Sequence, residues 1–269
     1  MVTIFRLEAS GPEFFASAPS MAEASARLPH GAYTSLRTYD GGRRVLRLAE
    51  HLARLREGAS GQGGFDETKV RAGLAQVLKA AGPGERRLRL THASPHVFAA
   101  IEPLEPLPSA LYRDGVSCVT VPFQREAPRL KDTHFISTAQ AAYRDLPAGV
   151  HEALMVGEDG AILEGLSSNF FAVREGILHT EGDRALPGIT RGLVLELAKG
   201  LLPLATGPVR RDQLPELTEA FLTSVSRGVL PVVKVDATSV GDGRPGPITR
   251  ELGRRFDALV EREAEPLSG

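Results

Sequence analysis

ILEGLSSNFFAVREGILHTEGDRALPGITRG, residues 162–192, carries strand, turn and helix signals in quick succession. SSNFFAVREGILHT predicts a β-hairpin, because two apolar, aromatic runs flank the Glu175-Gly176 turn pair. Just upstream, EALMVGEDGAILEG predicts another hairpin, turning at Glu158-Asp159-Gly160. Downstream, Pro187-Gly188 interrupts the chain. A helix is then predicted from about residue 190 to 200, with Leu193, Val194, Leu197, Ala198 and Leu201 on one face. Paired strands running into an amphipathic helix predict an α+β chain.

The same alternation extends outward in both directions. Toward the N-terminus, YTSLRTY (33–39) predicts a strand, and Leu48, Leu52 and Leu55 recur at helical spacing. Gly58 to Gly64 is a Gly-rich break. A second helix is predicted over 66–80, with Val70, Leu74, Val77 and Leu78 as its stripe. RLRLTH and HVFAAIEPL predict two strands around a turn at Ser94-Pro95. EPLEPLPSALYRDG (102–115), with three prolines and little periodicity, is the expected linker. Toward the C-terminus come a strand in VSCVTVPF, a helix in THFISTAQAAYRDL, and the apolar runs AFLTSVS and GVLPVVKVD. A closing helix carries Ile248, Leu252, Phe256, Leu259 and Val260. The expected organisation is an N-terminal domain over 1–107 and a C-terminal domain over 108–269.

Composition narrows the function classes. A formal net charge of −1, with acids and bases interspersed, leaves no basic patch for nucleic acid and no polybasic flank for a membrane surface. Met1 to Ser10 includes Arg6 and Glu8 and does not read as a signal peptide. No apolar run approaches the roughly 20 residues that span a bilayer. The single cysteine, Cys118, excludes an internal disulfide and fits a reducing compartment, so a cytoplasmic location is expected. His92 and His96 are four apart, but Pro95 between them breaks any helix that would align them, and no metal site is expected.

Five lysines stand against twenty-seven arginines, so the possible lysine nucleophiles are few. Lys69 and Lys79 fall in a charged amphipathic helix, Lys199 at a helix C-terminus, and Lys234 in an apolar strand as an edge residue. Lys131 differs: it follows a strand and a short Pro-containing loop, the type of junction that presents a side chain to a cleft.

LxxHLxRL (Leu48 to Leu55), Lys131, ILEGLSSNFFAV, ALPGITRG (185–192) and FLTSVSRGVLPV (221–232) occur in this order. The set resembles the class IV aminotransferases, the fold-type IV pyridoxal-phosphate enzymes that include branched-chain and D-amino acid aminotransferases and aminodeoxychorismate lyases. The likeness runs from about Gly31 to Phe256. It implies a two-lobed α+β fold with a smaller N-terminal α/β domain and a larger cofactor-binding domain built on a barrel-like sheet. It also implies a homodimer, and pyridoxal 5′-phosphate held on Lys131 as a Schiff base.

Each segment has a chemical reason within that resemblance. A lysine close to the reacting carbon, once displaced by substrate, shuttles the α-proton. The cofactor's ring nitrogen needs a carboxylate partner, which the resemblance places at Glu164; taken alone, Glu164 reads rather as a solvated residue ending a hairpin strand. Phosphate needs N–H donors and positive charge. The resemblance assigns these to Ile189 and Thr190, to Arg54, and to the backbone near Val225 and Ser226, with Leu186 packed on the ring. Alone, LPGITR also reads as an ordinary Pro-Gly turn before a helix with a Thr cap. Asn169 is expected to organise its turn, and His51 to be a packing histidine.

Departures from the family pattern bear on substrate. The tyrosine that branched-chain aminotransferases place five residues after the lysine is Ile136 here, and their late-loop threonine corresponds to Val225, with Ser226 beside it. YTSLRTYD is closer to the corresponding stretch of aminodeoxychorismate lyases. A substrate carboxylate needs charge-assisted hydrogen bonds, for which Arg87 and Arg89 on one strand face are candidates, Arg89 the better by alignment. A solvent-facing charged strand is the competing reading. Tyr33 is a candidate pocket wall or a core tyrosine. The expected activity is transfer of an amino group between an amino acid, branched-chain or D, and a 2-oxo acid. The alternatives are a lyase giving 4-aminobenzoate and pyruvate, and a cofactor-free binding protein on the same fold.

Overall fold

The computed structural model describes residues 1–58, 65–205 and 207–267. Most of the Gly-rich break, residues 59–64, lies outside them. In chain order the elements are β1 (Val2–Glu8), β2 (Gly11–Ala18), α1 (Met21–Ala26), β3 (Ala32–Tyr39), β4 (Arg44–Val45), α2 (Leu48–Glu57), α3 (Glu67–Ala81), β5 (Arg86–Ala93) and β6 (His96–Pro103). There follow α4 (Ser109–Asp114), β7 (Val116–Pro122), α5 (His134–Arg144), β8 (Val150–Val156), β9 (Ile162–Gly165), β10 (Asn169–Arg174) and β11 (Ile177–His179). The chain closes with α6 (Ile189–Ala198), β12 (Leu217–Ser224), β13 (Gly228–Val235), β14 (Thr238–Ser239), α7 (Pro247–Glu263) and β15 (Glu265–Pro266).

Two compact units account for these elements. The first comprises Met1–Glu105, Leu130–Thr138 and Val260–Gly269; the second comprises Pro106–Arg129 and Ala139–Leu259. A single cut at 107/108 therefore differs from this grouping, since the segment around Lys131 and the chain's tail belong with the N-terminal unit.

The first unit is built on a seven-stranded antiparallel sheet in the order β15-β4-β3-β5-β6-β1-β2. Strands β1 and β6 are apolar on both faces. Leu7, Leu36, Leu88, Leu90, Ala99 and Ile101 pack with Leu48, Leu52 and Leu55 of α2 and Val70, Leu74 and Val77 of α3. The alternate residues Val2, Ile4, Phe98 and Ala100 pack with Met21 and Ala24 of α1. The period of two along each strand distributes the side chains between the two cores. Helices α3 and α1 begin on side-chain caps: Asp66 Oδ1 accepts from Lys69 N–H at 3.1 Å, and Ser20 Oγ from Glu23 N–H at 3.2 Å.

The second unit holds an eight-stranded sheet along β11-β10-β12-β13-β7-β8-β9, with β14 paired to β13, curled into a half-barrel. β7 runs parallel to both β13 and β8; the other pairings are antiparallel. Both hairpins predicted over 150–179 form as expected. Glu175 and Gly176 adopt φ of 52° and 73°, the left-handed pair that a two-residue hairpin turn demands. Helix α7 starts with Pro247, and the buried carboxylate of Glu219 accepts its first free N–H groups, from Ile248 at 3.0 Å and Thr249 at 2.7 Å.

Two sequence expectations need correction. The stretch 102–115 is not a bare linker: it completes β6, then forms α4, and Leu107, Leu111 and Tyr112 pack against the second core. Lys234 is not on an edge strand, because β13 lies between β12 and β7; its side chain is exposed all the same.

Candidate active site

In the first unit a cluster of cationic and aromatic side chains forms around Lys131. The segment Lys131–Thr133 is fastened alongside the start of β3. Tyr33 N–H donates to the Lys131 carbonyl at 2.8 Å, Thr133 N–H to the Gly31 carbonyl at 3.1 Å, and Gly31 N–H to Thr133 Oγ1 at 3.1 Å. A lysine on a loop is thereby given the positional precision of a strand. Its Nζ lies 4.8 Å from the centroid of the Tyr33 ring, and the Arg89 guanidinium carbon lies 4.9 Å from the same centroid. Both contacts fall within cation–π range. Tyr33 is buried, a core tyrosine whose ring faces the two cations.

Arg89 extends from β5, its Nη1 donating to Ser25 Oγ at 2.7 Å and to the Met21 carbonyl at 3.2 Å. Burial holds its guanidinium below the usual value. Arg87, two residues earlier, is ion-paired with Glu102. Of the two candidates for a substrate carboxylate, Arg89 is therefore the one placed beside Tyr33.

Helix α2 brings in His51 and Arg54. His51 is buried, with Nδ1 2.7 Å from Thr34 Oγ1. Burial, with the positive charges of Arg54 and Lys131 adding to it, lowers its pKa to about 3. It is thus a neutral, packed histidine, as the helical wheel predicts. Arg54 is half-buried, and desolvation lowers its pKa while Glu50, Glu57 and Tyr33 oppose the shift.

In the second unit a different set assembles around Glu164. This residue sits in β9 opposite Met155 and is 3% exposed, too buried to be the solvated strand end that its position alone allows. Its Oε2 accepts from Leu186 N–H at 3.1 Å and Asn169 Nδ2 at 3.3 Å, and its Oε1 faces Arg125 Nη1 at 3.5 Å. Asn169 Nδ2 also donates to the Leu186 carbonyl at 2.8 Å. Asn169 therefore joins the EGLSSN turn to the LPGITR turn. Gly188 is required for this: a Cβ there would come within 2.1 Å of Asn169 Oδ1.

Helix α6 begins directly after Gly188, which has no side chain with which to cap it. The first-turn N–H groups at Ile189 and Thr190 are consequently a ready anion site, and both side chains are buried. Val225 and Ser226 lie in the hairpin turn between β12 and β13, both half-buried. Ile136, where the family pattern has tyrosine, is buried in α5.

The residues fit a phosphorylated aldehyde cofactor on three counts. The first unit offers a lysine on a segment hydrogen-bonded to β3; separately, the second offers a buried carboxylate fixed by N–H donors, and a helix N-terminus without a side-chain cap behind a glycine whose Cβ would meet Asn169 Oδ1. The amino-transferase class IV family model matches residues 31–235, most of the chain. The chain belongs to the class IV aminotransferases.

Individual relatives agree with that assignment. This class IV aminotransferase is 28% identical over 251 residues to a putative branched-chain-amino-acid aminotransferase of Methanocaldococcus jannaschii, covering 84% of this chain and 85% of that protein. It is also 28% identical to a D-alanine aminotransferase of Bacillus licheniformis, over 82% of this chain and 84% of that one. In fold it matches a putative branched-chain amino acid aminotransferase of Thermotoga maritima, with a TM-score of 0.78 at 28% identity, covering 97% of this chain and 96% of that chain. Another branched-chain amino acid aminotransferase, solved with pyridoxamine 5′-phosphate, matches with a TM-score of 0.80 at 22% identity. That match covers 99% of this chain and 98% of the other.

Sequence reasoning passed over Arg125, whose guanidinium lies beside Glu164. No local pattern marks it, since the pairing joins residues 39 apart. His92 and His96 are placed on β5 and β6 with no shared partner. His92 is fully buried, whereas His96 Nδ1 is 3.3 Å from the Glu8 carboxylate. Among the described residues there is no group of three or more His, Cys, Asp or Glu that would hold a metal ion. Among them, too, no helix is long and apolar enough to cross a membrane.

Proposed function

We propose that this class IV aminotransferase is a pyridoxal-phosphate enzyme that moves an amino group between an amino acid, branched-chain or D, and a 2-oxo acid such as 2-oxoglutarate. The observation that carries the reading is the setting of Lys131, an amine on a segment hydrogen-bonded to β3. When bound, the cofactor supplies an aldehyde to capture amines and a conjugated ring to take up the electron pair left by a departing α-proton.

The chain's own residues do the rest. Lys131 Nζ would hold the cofactor in the resting enzyme and, as a free amine, would shuttle the substrate's α-proton to the cofactor carbon that carried the aldehyde. Glu164 keeps a proton on the ring nitrogen, and its two N–H donors on Oε2 hold the carboxylate in place for that purpose. Arg54, the N–H groups and hydroxyl at Ile189 and Thr190, and the turn at Val225 and Ser226 grip the phosphate. Leu186 packs on the ring. Arg89 receives the substrate carboxylate, with Tyr33 as the adjoining wall and Arg87 as a less favoured partner. The working form is a homodimer in the cytoplasm.

The names of the relatives support both stereochemical directions, and Ile136 supports a departure from the branched-chain pattern. A panel of amino donors in both enantiomeric forms against several 2-oxo acids is the test. The reading predicts transfer that requires both a donor and a 2-oxo acid. Release of pyruvate from aminodeoxychorismate with no acceptor present would replace it with the lyase.

A further inference from the structure

The second unit contains a buried ionic cluster that none of the roles above uses. Glu152, in β8, is fully buried. Its Oε2 accepts from Ser167 Oγ at 3.1 Å, Ser168 Oγ at 2.9 Å and Arg227 Nη2 at 3.0 Å. Its Oε1 accepts from the Tyr143 hydroxyl and from Ala153 N–H at 3.3 Å. The neighbours saturate the carboxylate's lone pairs, so the charge is matched rather than stranded. Burial disfavours the Arg227 cation, yet Glu152 and Tyr143 together outweigh it and hold the cation above its usual value; Tyr143 is pushed up by burial first and by Glu152 next.

Arg227 belongs to the hairpin turn that contains Val225 and Ser226, and it holds that turn at both ends. Its Nε donates to Ser224 Oγ at 3.0 Å, and its carbonyl accepts from the Tyr112 hydroxyl at 2.9 Å. Its Nη2 reaches Ser167 Oγ at 2.6 Å and the Ser167 carbonyl at 3.2 Å. Ser167 and Ser168 lie just beyond the Glu164-Gly165 pair. A Cβ on Gly165 would come within 2.4 Å of Ser168 Oγ and 2.8 Å of Glu152 Cγ, so the glycine of that pair is what lets the cluster close.

We infer that Glu152 and Arg227 form a positioning pair: they lock the Ser224–Gly228 turn to the EGLSSN turn and so fix the backbone at Val225 and Ser226 for the phosphate group of the cofactor. This rests on the proposed function. Neither residue touches the reacting atoms; they act through the turn that one of them belongs to.

The experiment compares affinity for pyridoxal 5′-phosphate with affinity for unphosphorylated pyridoxal, measured by absorbance titration of the full chain, for the wild type and for Glu152→Gln and Arg227→Met. The wild type is expected to prefer the phosphorylated form. In both variants that preference should fall roughly tenfold, within the up to ~100-fold that a displacement of about 1 Å costs a positioned contact, while affinity for pyridoxal changes little. Arg227→Lys, which keeps the charge but not the fork, should restore part of the preference. Should a variant fail to fold, Tyr143→Phe and Ser167→Ala loosen the same cluster with smaller losses and are read in the same way. A lowered melting temperature with an unchanged preference would reduce the cluster to a structural role and overturn the inference. A wild type with no preference for the phosphorylated form would instead overturn the proposed function, which separates the two failures.

Discussion

His51 shows how one residue's surroundings set its chemistry. Burial, with Arg54 and Lys131 nearby, takes its pKa from 6.5 to about 3. Between those values the unfolded chain binds a proton that the folded chain refuses. Stability is therefore fully present above about pH 6.5, declines as pH falls toward 3, and stops changing with this group below that. The full shift corresponds to at most about 5 kcal/mol at roughly 1.4 kcal/mol per unit. Urea midpoints followed from neutral pH down to about pH 4 are expected to fall more steeply for the wild type than for His51→Gln. Equal slopes would mean that His51 is not held neutral.

At the scale of elements, the decisive feature is the N-terminus of α6, where Gly188 permits Asn169 to hold both Glu164 and the Leu186 carbonyl. Gly188→Ala is expected to push Asn169 aside and weaken pyridoxal-phosphate binding by about tenfold or more, as loss of one or two hydrogen bonds to charged groups does. Affinity measured by absorbance titration checks this, with circular dichroism confirming that the helix survives. LPGITR and the Glu175-Gly176 hairpin are local events, decided by residues adjacent in the chain, and local patterns reveal them. The Glu152–Arg227 pair joins residues 75 apart and has no local signature. The hairpin of β1 and β2 escapes such patterns, because β1 buries Val2 and Ile4 on one face and Leu7 on the other while β2 exposes Phe14 and Phe15, which blurs the expected alternation. Helix α4 is too short for a period to register, and the prolines before it suggest a linker although Pro108 at its N-cap suits a helix start.

At the scale of the molecule, the family match runs through both units, and each holds its own set of groups: a lysine beside an aromatic ring and Arg89 in one, a buried carboxylate and a helix start without a side-chain cap in the other. The proposed activity requires Lys131 to be the amine that holds the cofactor. The scarcity of lysine makes this directly measurable, since Lys69, Lys79, Lys199 and Lys234 are the only other side-chain amines. Loading the protein with pyridoxal 5′-phosphate, reducing it with borohydride and mapping the added mass by peptide mass spectrometry is the most direct test. The expected result is a phosphopyridoxyl group on Lys131 alone; its appearance on another lysine, or on none, would contradict the assignment of Lys131.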